Sequence, residues 1–181
     1  MAPDPRPIAS LAMGSPWSTD PTDLLRAEQD IRDRLDDHEL DFVALQAISN
    51  IYRAAAAVRR RAERDLLADA NLSWGGFTIL WVLWVWGEME TAHLATECDL
   101  AKGTLTGMLT TLEKQGLVER HRVAEDRRRV SVALTDDGID LIEELFPRFN
   151  SFEHDMTAGL STDQQLELAS LLRAVTNNAD D

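Results

Sequence analysis

The sequence has few of the residues that build metal centres and covalent cross-links. It contains one cysteine, Cys98, and four histidines in 181 residues, so an intramolecular disulfide is excluded. The histidines show no metal-ligand spacing that could complete a zinc site around one thiol. We therefore expect neither a metal nor a cofactor. Cys98 lies on the apolar side of a predicted helix, which favours a small core residue over a redox sensor, because a sensor thiol must be exposed and have a lowered pKa.

The sequence also lacks the motifs of common enzymes and of membrane insertion. It has no nucleophile elbow, no phosphate-binding loop and no recognisable pair of catalytic carboxylates, which argues against an enzyme. No stretch approaches the roughly 20 consecutive apolar residues of a membrane span. The N-terminus has no basic segment followed by an apolar one, as a secretory signal would require. These absences predict a cytoplasmic protein that does not enter membranes.

Acidic residues outnumber basic residues, and the basic residues are unevenly distributed along the chain. The formal net charge is -14, from 18 Lys and Arg against 32 Asp and Glu. Residues 102–134 alone are net basic, with 7 basic and 4 acidic groups. Residues 1–101 carry a net charge of -8 and residues 135–181 carry -9. A polyanion such as DNA would therefore be attracted to one segment and repelled by the rest of the chain.

The stretch 91–135, which contains the net basic segment, begins with a pattern of two short helices. Asp99 stands where the chain must reverse, and its short polar side chain tolerates the left-handed conformation. The second helix is predicted from Lys102 to Gln115 and ends at Gly116, which suits a left-handed cap. Its exposed face is small and polar and can enter a groove of DNA. The apolar residues that recur at helical spacing are Leu94, Cys98, Leu105, Met108, Leu109 and Leu112.

Two short strands follow the second helix. Residues 117–123 (LVERHRV) and 130–134 (VSVAL) alternate with the period of a β-strand. The turn between them gives a hairpin with a basic tip, where guanidinium groups could contact phosphates or enter a minor groove. Two helices followed by a hairpin form a winged helix-turn-helix, and that context favours DNA contact over a merely solvated turn. The basic residues of the hairpin are Arg120, Arg122, Arg127, Arg128 and Arg129.

The segment LAKGTLTGMLTTLEKQGLVERHRVAEDRRRVSVALTDDG, residues 100–138, resembles the DNA-binding core of the MarR family of transcriptional regulators, including the wing residues Asp126 and Arg128. The resemblance implies a homodimer that binds a pseudo-palindromic operator in double-stranded DNA. It also implies a repressor that is released by a small aromatic effector. The residues that we expect at the DNA are Lys102, Gly103, Thr104, Thr106, Thr110, Arg120, Arg122, Asp126, Arg127, Arg128 and Arg129.

The recognition helix departs from the family pattern at four positions. Many relatives have a serine cap where this chain has Ala101, and an exposed arginine where this chain has Gly107. Thr110 and Thr111 also stand at positions that are often charged in relatives. Loss of a cap costs about 1 kcal/mol, and glycine inside a helix costs about 1 kcal/mol relative to alanine. The helix is therefore unusually neutral, although Thr104 and Thr106 could still hydrogen-bond bases or touch thymine methyl groups. This neutrality keeps one alternative open, a protein-protein interaction module that has lost specific DNA binding.

Residues 74–86 are rich in aromatic side chains. The helix predicted here, capped by Ser73 and ending near Gly87, is apolar nearly all round and is expected to be buried. A central packing helix is the favoured interpretation. An aromatic ligand pocket is the alternative, because the resemblance implies an effector cleft beside this helix. The effector-binding candidates are Trp81 and Trp84, with Tyr52 and His93 as polar partners.

The flanks complete a fold that is mainly α with a small β-hairpin wing. Residues 1–21 hold five of the six prolines and are predicted to be a disordered extension. Residues 22–70 are predicted to be N-terminal dimerisation helices. The winged helix-turn-helix lobe is assigned to residues 71–135, and C-terminal dimerisation helices to residues 136–181.

Local signals mark the helices of the flanks. Thr135 is a predicted cap, Pro147 predicts a kink, and Ser161 with Gln164 predicts a capping box. The last helix has an apolar stripe that a second copy of the chain would bury. A run of arginines in the N-terminal half is interpreted as a solvated face paired with acidic neighbours rather than as a DNA surface. These arginines are Arg53, Arg59, Arg60, Arg61 and Arg64.

Overall fold

The computed structural model describes residues 21–35, 38–122 and 129–180. The chain divides into two compact units, Met1–Arg60 and Arg61–Asp181. The described elements are mostly helices with one small antiparallel sheet, as predicted. The predicted disorder of residues 1–20 lies outside the described residues, as do the wing residues Asp126, Arg127 and Arg128.

The first unit consists of two helices, α1 (Pro21–Leu35) and most of α2 (Phe42–Ala62). Polar side chains join them. The Glu28 carboxylate on α1 accepts hydrogen bonds from Asn50 Nδ2 at 2.8 Å and from Gln46 Nε2 at 3.4 Å. These contacts fix the rotation of one helix relative to the other within this unit.

A single π-helical turn, Glu63–Leu67, follows α2. Ala62, immediately before this turn, and Leu66 and Leu67 within it are buried. Two of the five arginines of the run are ion-paired as predicted: Arg61 and Arg64 contact Asp65 at 3.3 and 2.6 Å. The hydrogen bond from Arg64 holds the pKa of the Asp65 carboxyl below its usual value.

The core of the second unit is built on α3 (Trp74–Trp86). Ser73 caps this helix, as predicted, because its Oγ accepts a hydrogen bond from the Gly76 N–H at 3.1 Å. Val85 and Trp86 are 47% and 57% exposed, so the prediction of burial on every side was wrong at the C-terminal end. The apolar composition of a helix does not show which of its sides other elements cover. Apolar residues at a helix end can therefore remain exposed to solvent. The buried apolar residues of α3 are Phe77, Ile79, Leu80, Val82 and Leu83.

A three-stranded antiparallel sheet has the order β1-β3-β2. Its strands are β1 (Met89–Glu90), β2 (Val118–Arg122) and β3 (Val130–Leu134). The hairpin of β2 and β3 is confirmed, since the two strands pair along their full length. Strand β1 was not predicted, because two residues are too short to show an alternating pattern. Met89 of β1 lies opposite Val132 of β3 and ties the hairpin to the chain that enters the next helix.

Helix α6 (Asp136–Met156) leaves the sheet directly. The predicted cap is confirmed, because Thr135 Oγ1 accepts a hydrogen bond from the Gly138 N–H at 3.1 Å. Gly138 also allows α6 to pack closely against the backbone of Leu117, since a Cβ added at Gly138 would overlap with the Leu117 carbonyl oxygen. The helix runs through Pro147 as one α-helix.

Helix α7 (Thr162–Asp180) ends the described chain. The predicted capping box is confirmed. The Ser161 N–H donates to Gln164 Oε1 at 2.8 Å, and the Gln164 N–H donates to Ser161 Oγ at 3.3 Å. No helix among the residues described is both long enough and apolar enough to cross a membrane.

Candidate nucleic-acid interface

Helices α4 (Thr91–Glu97) and α5 (Lys102–Lys114) form a helix-turn-helix. Asp99, the residue predicted to reverse the chain, has a φ of 49°. The Leu100 N–H closes the turn by donating to the Ala95 carbonyl at 2.8 Å, a left-handed helix end. The apolar faces of the two helices are buried, and this burial fixes α5 with its opposite face toward solvent. The buried residues are Leu94, Ala95, Leu105, Leu109 and Leu112.

The solvent face of α5 carries small side chains between two lysines. An added Cβ at Gly103 or Gly107 would meet no atom within 4 Å. Nothing in the described part of the chain therefore covers this face at the two glycines. At the end of the helix Gly116 has a φ of 75°, which confirms the predicted cap. The exposed residues of the face are Lys102, Gly103, Thr104, Thr106, Gly107, Thr110, Thr111 and Lys114.

Arg120 on β2 points to α5. Its Nη2 contacts Glu113 Oε2 at 2.8 Å and donates a hydrogen bond to Thr110 Oγ1 at 3.0 Å. The sequence predicted a DNA contact for Arg120 and gave no role to Glu113, because a pairing between a helix and a strand leaves no local signal. The structure assigns Arg120 protein partners that connect the wing to the recognition helix. A DNA contact by the same guanidinium stays a prediction.

Arg129, which precedes β3, makes a second connection of this kind. Its Nε donates to Glu90 Oε2 at 2.8 Å, and its Nη2 bonds to Glu90 Oε1. Glu90 immediately precedes α4, so the pair links the start of β3 to the start of the helix-turn-helix. Arg122, at the end of β2, is exposed. Its contact with a phosphate stays a prediction.

An open cleft of about 760 Å³ lies beside the sheet. His93 is one of its lining residues, and its Nε2 lies 3.0 Å from Glu97 Oε1. Ser131 donates a hydrogen bond to Glu88 on another wall. Six of the cleft's eight lining residues have polar side chains. Its lining residues are Glu88, Met89, Glu90, Ala92, His93, His121, Arg122 and Ser131.

Of the four effector-binding candidates, His93 lines this cleft, whereas Tyr52, Trp81 and Trp84 do not. The ring centroid of Trp81 lies 5.4 Å from that of Trp86, in an edge-to-face contact. Trp84 packs against Phe146 at 5.2 Å. Tyr52 is exposed in the first unit. An aromatic effector site built from Tyr52, Trp81, Trp84 and His93 thus stays a prediction.

Cys98 follows α4 and is half-buried. Burial, with a smaller contribution from the charge of Glu97, raises the pKa of its thiol to about 11. This is the opposite of the shift that a thiolate sensor needs. The observation supports the structural interpretation of this residue.

Two sequence comparisons place the chain among known proteins. Residues 72–130 match the profile of the MarR family. The uncharacterized HTH-type transcriptional regulator YwaE of Bacillus subtilis (strain 168) is 38% identical over 158 residues, covering 86% of this chain and 92% of that protein. The chain belongs to the MarR family. It is a DNA-binding transcriptional regulator and not an enzyme, as the resemblance implied.

Solved structures share the winged helix fold of this MarR-family chain. BpsR of Bordetella bronchiseptica gives a TM-score of 0.67 at 24% identity and covers 72% of this chain and 98% of its own. A cysteine-to-serine variant of MarR from E. coli, complexed with operator DNA, gives a TM-score of 0.66 at 24% identity and covers 70% and 91%. The winged helix-turn-helix prediction is confirmed.

Proposed function

We propose that this MarR-family regulator is a homodimeric repressor that binds a pseudo-palindromic operator and is released by a small aromatic effector. The observation that carries the proposal is the uncovered face of α5, which lies in the net basic segment of an acidic chain. Two recognition helices would enter successive major grooves about one helical turn, ~34 Å, apart. Because the ligand is chromosomal DNA, we expect the protein in the compartment that holds the chromosome.

The dimer is supported by the apolar stripe of α7. Leu171 is 59% exposed, and it belongs to an exposed apolar row on one side of the helix, which marks an interaction surface. A second copy would bury the same row by two-fold symmetry. The other residues of this row are Leu168, Leu172 and Val175, whereas the exposed Leu166 lies on the opposite side of the helix.

Sedimentation equilibrium of the full chain and of Leu171→Glu tests the dimer. We expect the unaltered chain at twice the monomer mass and the variant shifted toward the monomer. Asn177→Glu adds the same charge to an exposed polar position of α7 and should leave the dimer intact. A monomeric unaltered chain would contradict the proposed assembly.

Effector control is supported by a structural relative and by the aromatic residues of α3. DNA binding by BpsR is regulated by 6-hydroxynicotinic acid, an aromatic compound. Trp81 and Trp84 are only partly buried, and indole rings suit such ligands by stacking. A near-complete switch requires the effector to favour the DNA-incompetent state by about 5.5 kcal/mol.

Specific DNA binding is tested by fluorescence anisotropy with labelled DNA from upstream of the protein's own gene. The titration is repeated at several salt concentrations and against scrambled DNA. We expect tight binding that scrambled DNA does not compete away and that weakens steeply with salt. Equal, weak binding to both DNAs by a folded dimer would instead favour the protein-protein interaction module, which the neutral surface of α5 keeps as the second candidate.

A further inference from the structure

Three of the four threonine hydroxyls on the solvent face of α5, those of Thr106, Thr110 and Thr111, are already hydrogen-bonded within the protein. Thr106 Oγ1 donates to the Lys102 carbonyl at 2.8 Å, and Thr110 Oγ1 donates to the Thr106 carbonyl at 2.9 Å. Thr111 Oγ1 makes the same bond to the Gly107 carbonyl at 3.2 Å. Each donor is thereby committed to the carbonyl four residues back.

The hydroxyl of Thr110 both donates and accepts a hydrogen bond. While its Oγ1 donates to the helix, the same oxygen accepts the hydrogen bond from Arg120 Nη2 at 3.0 Å. Arg120 is itself held by Glu113 at 2.8 Å. Donation from this hydroxyl to a base edge would require its bond to the Thr106 carbonyl to break. The methyl group of Thr110 and one lone pair of its oxygen remain available to DNA.

The glycines of the same face add no polar group either. Gly103 and Gly107 lie one turn apart, and an added Cβ at either would meet open space. The helix backbone can therefore approach base edges closely at these positions. Charged side chains stand only at the two ends of the face, at Lys102 and Lys114, where they suit phosphates.

We propose that α5 reads the operator through thymine 5-methyl groups, which pack against the methyl groups of Thr106 and Thr110. Thymine is the one base that presents a methyl group in the major groove. An apolar contact of this kind needs no donor from the protein, and it selects thymine without an arginine on the helix. This inference rests on the proposed sequence-specific DNA binding and names the chemical feature that is recognised.

The test starts from an operator selected by the unaltered protein from a random DNA library. Each thymine of a half-site is then replaced by deoxyuridine, which removes the methyl group and keeps the O4 acceptor and the base pairing. Where a methyl group is read, we expect about fourfold weaker binding, the equivalent of about 0.8 kcal/mol for one buried methyl-sized group. The same replacement in both half-sites should weaken binding by roughly 15-fold.

Protein variants assign the contact to residues. Thr106→Ser and Thr110→Ser keep the hydroxyl and lose the methyl group. Each variant should therefore bind equally well to operators that carry thymine or deoxyuridine at the base that the replaced threonine contacts. Thr106→Val keeps a methyl group and loses the hydroxyl, and should retain the preference for thymine. Thr176→Ser is the matched control, because Thr176 Oγ1 makes the same bond to Leu172 at 3.1 Å on α7. It should leave the preference unchanged.

Three results would overturn the inference, and only the last of them would also overturn the proposed function. A selected operator that binds equally well with thymine and deoxyuridine throughout would overturn methyl recognition and leave the regulator proposal standing. Methyl recognition would also be overturned, and the regulator proposal would stand, if Thr106→Ser and Thr110→Ser retain the full preference for thymine over deoxyuridine. A library from which no sequence is enriched would overturn both the inference and the proposed specific DNA binding.

Discussion

Replacement of Arg120 distinguishes a wing arginine that contacts phosphate from one that positions the recognition helix. In the structure its guanidinium bridges β2 to α5 through Glu113 and Thr110. Arg120→Ala removes both interactions. Glu113→Gln removes the charge of the partner and leaves the arginine in place, so the two variants together separate the roles.

The exposure of the pair sets the size of the effect on stability. The side chains of Arg120 and Glu113 are 26% and 35% exposed, so we assign the ion pair the value of a surface pair, about 1 kcal/mol. The hydrogen bond to Thr110 adds about 0.5–1 kcal/mol. Arg120→Ala should therefore lower the free energy of unfolding by about 1.5–2 kcal/mol. For a chain of this length, that corresponds to a Tm lower by roughly 3–8 °C.

The assay combines thermal denaturation with anisotropy titrations of operator DNA at several salt concentrations. If Arg120 positions α5, both variants bind more weakly and the slope of log K against log salt stays the same. If Arg120 instead binds a phosphate, Arg120→Ala makes the slope shallower by about 0.9 for each phosphate that is no longer neutralised. Glu113→Gln would then bind more tightly, because it removes a negative charge near the DNA.

The positioning role is refuted by a shallower salt slope in Arg120→Ala together with tighter binding by Glu113→Gln. An unchanged Tm in Arg120→Ala would also contradict it, since the ion pair and the hydrogen bond would then contribute nothing to stability. Arg122→Ala serves as the control. Arg122 is exposed on the same strand, and its replacement should make the salt slope shallower without lowering the Tm.

Three further predictions follow from single residues. Gly138→Ala should lower the free energy of unfolding by about 1–3 kcal/mol, because the new Cβ meets the Leu117 carbonyl. Gly103→Ala should be neutral or stabilising in the same melt, and equal effects of the two changes would contradict the packing. The Cys98 thiol, whose pKa is raised to about 11, should react with Ellman's reagent at pH 8 more slowly in the native than in the urea-unfolded protein. Comparable rates would refute the buried environment. Arg128→Ala should weaken binding to operator and scrambled DNA alike and make the salt slope shallower by about 1, and an unchanged slope would rule out a phosphate contact.

Features set by neighbouring residues were predictable from the sequence. The caps at Ser73, Thr135 and Ser161 were predicted correctly, because a cap needs only a short polar side chain and the next turn of backbone. The left-handed residues Asp99 and Gly116 were predicted for the same reason. The helix-turn-helix and hairpin follow from periods of 3.6 and 2 in the apolar residues.

Features that depend on distant residues were not predictable. Strand β1 exists because Met89 meets Val132 across the sheet, and two residues carry no period. The pairing of Arg120 with Glu113 and of Arg129 with Glu90 joins elements that the sequence gives only as separate patterns. Basic residues on a hairpin were therefore all interpreted as DNA contacts, whereas the fold gives two of them protein partners.

The most direct test of the account is the affinity of Gly107→Glu for operator DNA. The added side chain enters open space and replaces a poor helix former, so the fold should be kept and the Tm unchanged or raised. A carboxylate on the DNA-facing surface should weaken binding by roughly two orders of magnitude, because like charges placed together in an interface cost several kcal/mol. Ala68→Glu adds the same charge at an exposed position after the π-helical turn and should bind almost normally. If Gly107→Glu is folded and binds operator DNA as tightly as the unaltered protein, the exposed face of α5 is not the recognition surface.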